Sequence, residues 1–199
     1  MTTSYRASVQ VLMRERLLDA AQDIMERRGW SAVTMSGIAS AVGVSRQTVH
    51  NELGTKHAVA EALTLRELGR FLDVVRDRMG AADDIVAAVR AACEGVLEMG
   101  ESNILVRTIV GSMPRGTDTD FLQLLTTESG EIVEAASAVV KQSVLETFPD
   151  VPFTETELDV AVDAVVRLIL SHLTRPSKPP VDAAADIALI FELALAGRR

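Results

Sequence analysis

A single cysteine, Cys93, in 199 residues excludes an internal disulfide framework and suits a reducing cytoplasm. It sits in the apolar run Ile85 to Cys93, where no basic neighbour pattern favours a thiolate, so a small buried thiol is expected rather than a redox sensor. Histidine is scarce too. His50, His57 and His172 stand at no ligand spacing from a cysteine or a carboxylate pair, and His172 beside Ser171 reads as a core or interface histidine rather than a nucleophile's base. No glycine-rich phosphate loop follows a strand, no Gly-x-Ser-x-Gly occurs, and no alternating pattern could build an α/β sheet. An enzyme is therefore not expected, and neither is a cofactor or a metal. Met1 to Gln10 is polar with no apolar centre, unlike a secretory signal, and no apolar run nears the roughly 18 to 20 residues of a membrane span. The expectation is a cytoplasmic protein with no membrane partner.

What the chain has in quantity is apolar residues. They make up 48% of it and give a mean hydropathy of +0.20, more than a monomer of this size needs, and buried dimer surface would absorb the excess. The formal net charge of -8 argues at first against nucleic acid. Its distribution reverses that reading: residues 1–56 hold seven Lys or Arg against five Asp or Glu, a net of +2, while residues 57–199 hold thirteen against twenty-three, a net of -10.

Within the basic part, Thr34 to Leu53 reads as two short helices joined by a tight turn. Thr34 caps the first, whose Ile38, Ala39 and Val42 form an inward stripe; Gly43 takes the turn; Ser45 caps the second, and Val49 and Leu53 face inward. The small Ala39 lets the helices cross closely. Arg46, Gln47, Thr48, His50 and Asn51 are left outward, donors and acceptors of the kind that reach base edges or phosphates in a major groove. This is a helix-turn-helix. With Lys56 and the helix starts at Thr34 and Ser45, these residues form the expected contact set for double-stranded DNA, with Tyr5, Arg6 and Arg14 as further phosphate candidates. Upstream, Val11 to Arg28 is a helix striped by Leu17, Leu18, Ala21, Ile24 and Met25 and ended by Gly29. Downstream, Gly54-Thr55-Lys56 opens another.

From about Arg14 to Leu63 the chain resembles the DNA-binding domain of the TetR family of bacterial transcriptional regulators. The residues that carry this are Gly29-Trp30, Thr34-Met35 with Ile38-Ala39, Val42-Gly43-Val44-Ser45, and Gly54-Thr55-Lys56. The resemblance implies an all-α homodimer that binds a palindromic operator, usually represses, and lets go when a small molecule enters a cavity in its C-terminal domain. The chain departs from the family at the end of the second helix: an aromatic-rich pattern is replaced by Val49-His50-Asn51-Glu52-Leu53. The phosphate contact often made by an aromatic hydroxyl then falls to His50. Glu52 has three readings: an acceptor for a cytosine amino group, a partner for a nearby Arg or Lys, or a solvated carboxylate.

The remaining chain reads as helices throughout: His57 to about Met79, Asp83 or Asp84 to about Met99, a short Ser102 to Ser112, a turn or two over Asp118 to Thr127, Gly130 to Phe148, Glu155 to about Leu173 after a Thr154–Glu157 capping box, and Asp182 to Ala196 after a stiff Arg175 to Pro180 loop. The last two helices are apolar on more than one side, so both must be covered. One reading is an intramolecular core. The other, which the resemblance favours, is a subunit interface in which two helices from each chain form a four-helix bundle through Val162, Val166, Ile169, Leu170, Leu173, Ile187, Ile190, Phe191 and Leu195.

For the effector, the resemblance places a cavity among the middle helices, with Phe71, Val75, Val89, Cys93, Leu97, Ile104, Ile109, Met113, Phe121 and Leu125 as candidate lining and Glu94, Asn103, Arg107 and Gln123 as polar candidates. That lining suits a hydrophobic small molecule. The expected organisation is thus a three-helix DNA-binding domain over residues 1–56 and a helical ligand-binding and dimerisation domain over residues 57–199. The function expected is a ligand-responsive repressor; the alternatives are a DNA-binding dimer without a metabolite effector and a helical enzyme.

Overall fold

The computed structural model describes residues 2–112 and 129–197, which form nine α-helices and one 3-10 turn with no strand among them. Helix α1 (Thr2–Arg28) leads through the 3-10 turn Trp30–Ala32 to α2 (Met35–Val42), α3 (Arg46–Leu53) and the long α4 (Lys56–Gly80). Then come α5 (Ile85–Ser102), α6 (Ile104–Ser112), α7 (Ser129–Thr147), α8 (Glu155–Thr174) and α9 (Pro180–Ala196). The chain is all-α, as expected. Among the described residues no helix is long and apolar enough to cross a membrane.

Three helix starts differ appreciably from expectation: α6 begins at Ile104 rather than Ser102, where Asn103 Oδ1 accepts from the Leu105 and Val106 N–H groups and caps it, and the other two are α1 and α9. Helix α1 begins at Thr2 rather than Val11, because no glycine or proline interrupts that stretch. Side chains on either side of Val11 hold the helix to α3: Arg14 Nη1 donates to the Glu52 carbonyl at 2.6 Å, and Gln10 Nε2, within the extension, to the Glu52 carboxylate at 3.4 Å. Helix α9 begins at Pro180, a residue expected in the preceding loop. At the first helical position proline gives up no hydrogen bond, and its fixed φ already suits the helix.

Local chemistry accounts for the other ends. Thr34 Oγ1 accepts from the Gly37 N–H at 3.0 Å, Ser45 Oγ from Thr48 at 3.0 Å, Thr55 Oγ1 from Ala58 at 3.2 Å, and Asp84 Oδ1 from Val86 and Ala87 at 2.9 Å each. The Glu157 carboxylate accepts from the Thr154 N–H at 2.8 Å, the reciprocal half of the capping box. Gly43 closes α2 at φ 80, ψ 33, a left-handed conformation that a Cβ disfavours.

Packing divides the described residues among three connected cores. The first joins α1 to α4: Leu17, Leu18, Ala21, Met25, Trp30, Ile38, Val49, Leu53, Val59 and Leu63 are buried together, and Leu105 of α6 and Ile132 of α7 insert among them. The second lies between α4, α5, α7 and α8, and the third between α5, α8 and α9, where Phe153 and Phe191 meet edge to face at 5.7 Å. Burying a large aliphatic side chain contributes about 1.5–3 kcal/mol, so Leu105 and Ile132 tie α6 and α7 to the core of the N-terminal helices.

Candidate nucleic-acid interface and cavity

Helix α3 presents its outer face much as its pattern indicates. Val49 and Leu53 are buried, Arg46, Gln47, His50 and Asn51 are exposed, and Thr48 is half-buried with Oγ1 2.8 Å from Ser45 Oγ. Gln47 Nε2 donates to Asn51 Oδ1 at 2.8 Å, one helical turn apart. That bond leaves the Gln47 oxygen and the Asn51 amide N–H groups outward, an acceptor and donors of the sort that pair with base edges. His50 Nδ1 lies 2.9 Å from the Gly54 carbonyl. A neutral ring donating there leaves Nε2 as an acceptor.

Five other residues are held by the protein itself. Thr34 and Ser45 stay exposed, but their oxygens accept the cap hydrogen bonds already described. Lys56 is half-buried: its Nζ donates to the Trp30 carbonyl at 2.9 Å and lies 4.7 Å from the Trp30 ring centroid. The amine bolts the start of α4 to the 3-10 turn. Arg14 is engaged at the C-terminal end of α3, and Glu52, half-buried, has Gln10 rather than an Arg or Lys at its carboxylate among the described residues. Tyr5 and Arg6 have side chains outside the described set.

A cavity of about 170 Å³ lies between α4, α5, α7 and α8, with Leu105 and Val106 of α6 and Phe191 of α9 completing its walls. Of the expected lining, Phe71, Val75, Val89 and Cys93 reach it. Leu97 is buried beside a separate groove with Arg107 and His172, and Ile104 packs against the first core instead. Met113, Phe121 and Leu125 lie outside the described residues, as does the side chain of Ile109. Burial pushes the Cys93 thiol up to about 12, which keeps it neutral.

The residues expected at a subunit interface divide. Val162, Val166, Ile169, Leu170 and Leu173 turn toward the cavity, and Ile187, Phe191 and half-buried Leu195 pack against α5 and α8 within the same subunit. Ile190 alone of the set is exposed, at 55%, and shares its surroundings on α9 with Leu189 at 53% and Leu193 at 65%. Hydrophobic periodicity reports that a side chain leaves water, not what it meets. Glu67 on the cavity wall was missed as well. Its signal was available: Ala60, Leu63, Glu67, Phe71 and Val75 share one inward stripe, and a lone acid in such a stripe is a buried charge.

Two family models match the chain: one described as bacterial regulatory proteins of the tetR family over residues 17–63, the other as the C-terminal domain of the bacterial tetracyclin repressor over residues 84–192. The chain belongs to the TetR family of transcription regulators. It is accordingly a regulator and not an enzyme. A relative from Mycobacterium tuberculosis, the HTH-type transcriptional regulator AlkX, is 32% identical over 187 residues, covering 94% of this chain and 87% of the relative. The crystal structure of the TetR-family repressor AlkX from a Dietzia species, described as implicated in biodegradation of n-alkanes, is 28% identical, covers 92% of this chain and 97% of its own, and superposes with a TM-score of 0.75. Thermus thermophilus FadR, at 17% identity, TM-score 0.62 and coverage of 90% and 93%, shares the TetR fold.

Proposed function

We propose that this TetR-family regulator is a homodimeric repressor that leaves a palindromic operator when a hydrophobic small molecule occupies the cavity between α4, α5, α7 and α8. The observation that carries the proposal is a shared wall. Leu105 and Ile132 line the cavity and also sit in the core of the N-terminal helices, while α4 runs from that core to the part of the wall formed by Phe71 and Val75. An occupant that separates those walls must strain the seat of α3, and an effector acts only through such a difference in affinity between two arrangements. Residues 1–56 would read DNA, with Arg46, Gln47, Thr48, His50 and Asn51 toward the duplex; residues 57–199 would hold the effector and the dimer contact. For that contact the exposed Leu189, Ile190 and Leu193 replace the buried side chains of α8. Two reading heads would then fall about 34–36 Å apart, one turn of duplex. The cavity's hydrocarbon walls suit an alkyl chain, in keeping with the n-alkane link of the Dietzia relative. The test is fluorescence anisotropy on DNA flanking the protein's own gene, with and without medium-chain alkyl compounds. Salt-sensitive, sequence-specific binding that the compounds weaken supports the proposal; specific binding indifferent to a broad lipophilic panel overturns the effector role, and absence of specific binding overturns the repressor.

A further inference from the structure

We infer that Arg66 and Glu67, consecutive on α4, splice the reading head to the body of the chain and, with Asn103, are positioning residues for operator binding. The inference rests on the repressor reading and adds which bonds hold α3 in its place. Neighbouring residues on a helix face different ways, and these two reach different partners. Arg66 Nη1 lies 2.7 Å from Asp19 Oδ1 and 3.6 Å from Glu15 Oε2, and its Nη2 donates to Gln22 Oε1, so the guanidinium grips three side chains of α1. Glu67 Oε2 accepts from Asn103 Nδ2 at 2.7 Å, with Arg70 Nη1 donating to its other oxygen. Asn103 Oδ1 accepts in turn from the Leu105 and Val106 N–H groups at 3.0 and 3.2 Å and caps α6. One chain of polar contacts runs from α1 through α4 to the start of α6.

Water has little access to this chain: Glu67 is 5% exposed, Asn103 8% and the Arg66 side chain 15%. Apolar burial is non-directional, whereas a hydrogen bond weakens steeply as its geometry departs from the ideal, and breaking one to a buried carboxylate leaves a charge short of a partner. The polar contacts therefore fix the angle at which α1, with α2 and α3 packed on it, stands on α4 and α6. A head held in this way offers α3 to the duplex in one arrangement. A head released at either link populates several, and apparent affinity falls with the fraction that remains competent. The links act in series, so breaking one removes what the other contributes.

Asn103→Ser keeps a capping oxygen for α6 but is too short to hold Glu67 as well, and Arg66→Gln releases α1. Fluorescence anisotropy of the full-length protein on DNA flanking its own gene is expected to show each variant weakening the specific site by about fivefold or more. The slope of log affinity against log salt should stay unchanged, because no phosphate contact is lost. The double variant should lie within about twofold of the weaker single, where independent sites would multiply their losses. Circular dichroism reports whether each variant folds; Arg66→Gln faces the exposed carboxylates of Glu15 and Asp19 and decides alone if Asn103→Ser does not. Folded single variants that bind like the unaltered protein, a shallower salt slope in Arg66→Gln, or a double variant that loses the product of the two overturns the inference while leaving the repressor standing. Absence of specific binding by the unaltered protein overturns both.

Discussion

Replacing Lys56 by methionine separates two roles that the sequence leaves open, phosphate contact and internal brace. In the folded chain the ammonium donates to the Trp30 carbonyl at 2.9 Å and sits 4.7 Å from the Trp30 ring centroid. A hydrogen bond from a charged donor contributes about 1.5–3 kcal/mol and a half-exposed cation–π contact about 0.5–1 kcal/mol. Methionine keeps the aliphatic stem and recovers part of the ring contact through its sulfur, so the expected net loss is about 2 kcal/mol. For a chain of 199 residues each kcal/mol moves Tm by about 2–4 °C, so Tm should fall by about 4–8 °C. Operator binding across a salt series supplies the second readout. Each phosphate neutralised adds about 0.9 to the slope of log affinity against log salt; two Lys56 amines on phosphates would make the Lys56→Met slope shallower by about two, whereas a brace leaves it unchanged. An unaltered Tm together with the shallower slope would refute the reasoning.

Gln47→Ala should weaken the specific operator by about 1–3 kcal/mol and random duplex by less, as measured by competition binding, because the proposed reading sets its outward oxygen and its bonded partner Asn51 toward base edges rather than phosphates. Leu193→Lys should convert dimer to monomer in light scattering with helicity kept, whereas Val166→Lys buries an unpaired charge and should abolish cooperative unfolding. Cys93 should resist thiol reagents at about pH 8 in the folded protein and react once urea unfolds it. With the folded thiol raised from 9.0 to about 12, the unfolded chain ionises first as pH rises; the stability contributed by the neutral thiol is complete below pH 9 and declines between the two values, and Cys93→Ala should flatten that part of the profile.

The sequence by itself determined what short-range chemistry controls. Thr34 and Ser45 could be read as caps, Gly43 as a left-handed turn and Val49 with Leu53 as an inward face, because each rests on atoms within about one helical turn. Those same residues carry the family resemblance, so the helical fold and the regulator class were legible without coordinates. Tertiary structure alone decided the partners. Lys56 meets Trp30 across 26 positions, Glu67 meets Asn103 across 36 and Arg14 meets the Glu52 carbonyl across 38; no local rule pairs them. It also decided that Val162, Val166 and Leu173 face a cavity while Ile190 and Leu193 face outward. Transfer of an apolar side chain out of water is favourable whatever apolar surface receives it, so a hydrophobic stripe specifies burial, and only the packed chain specifies against what.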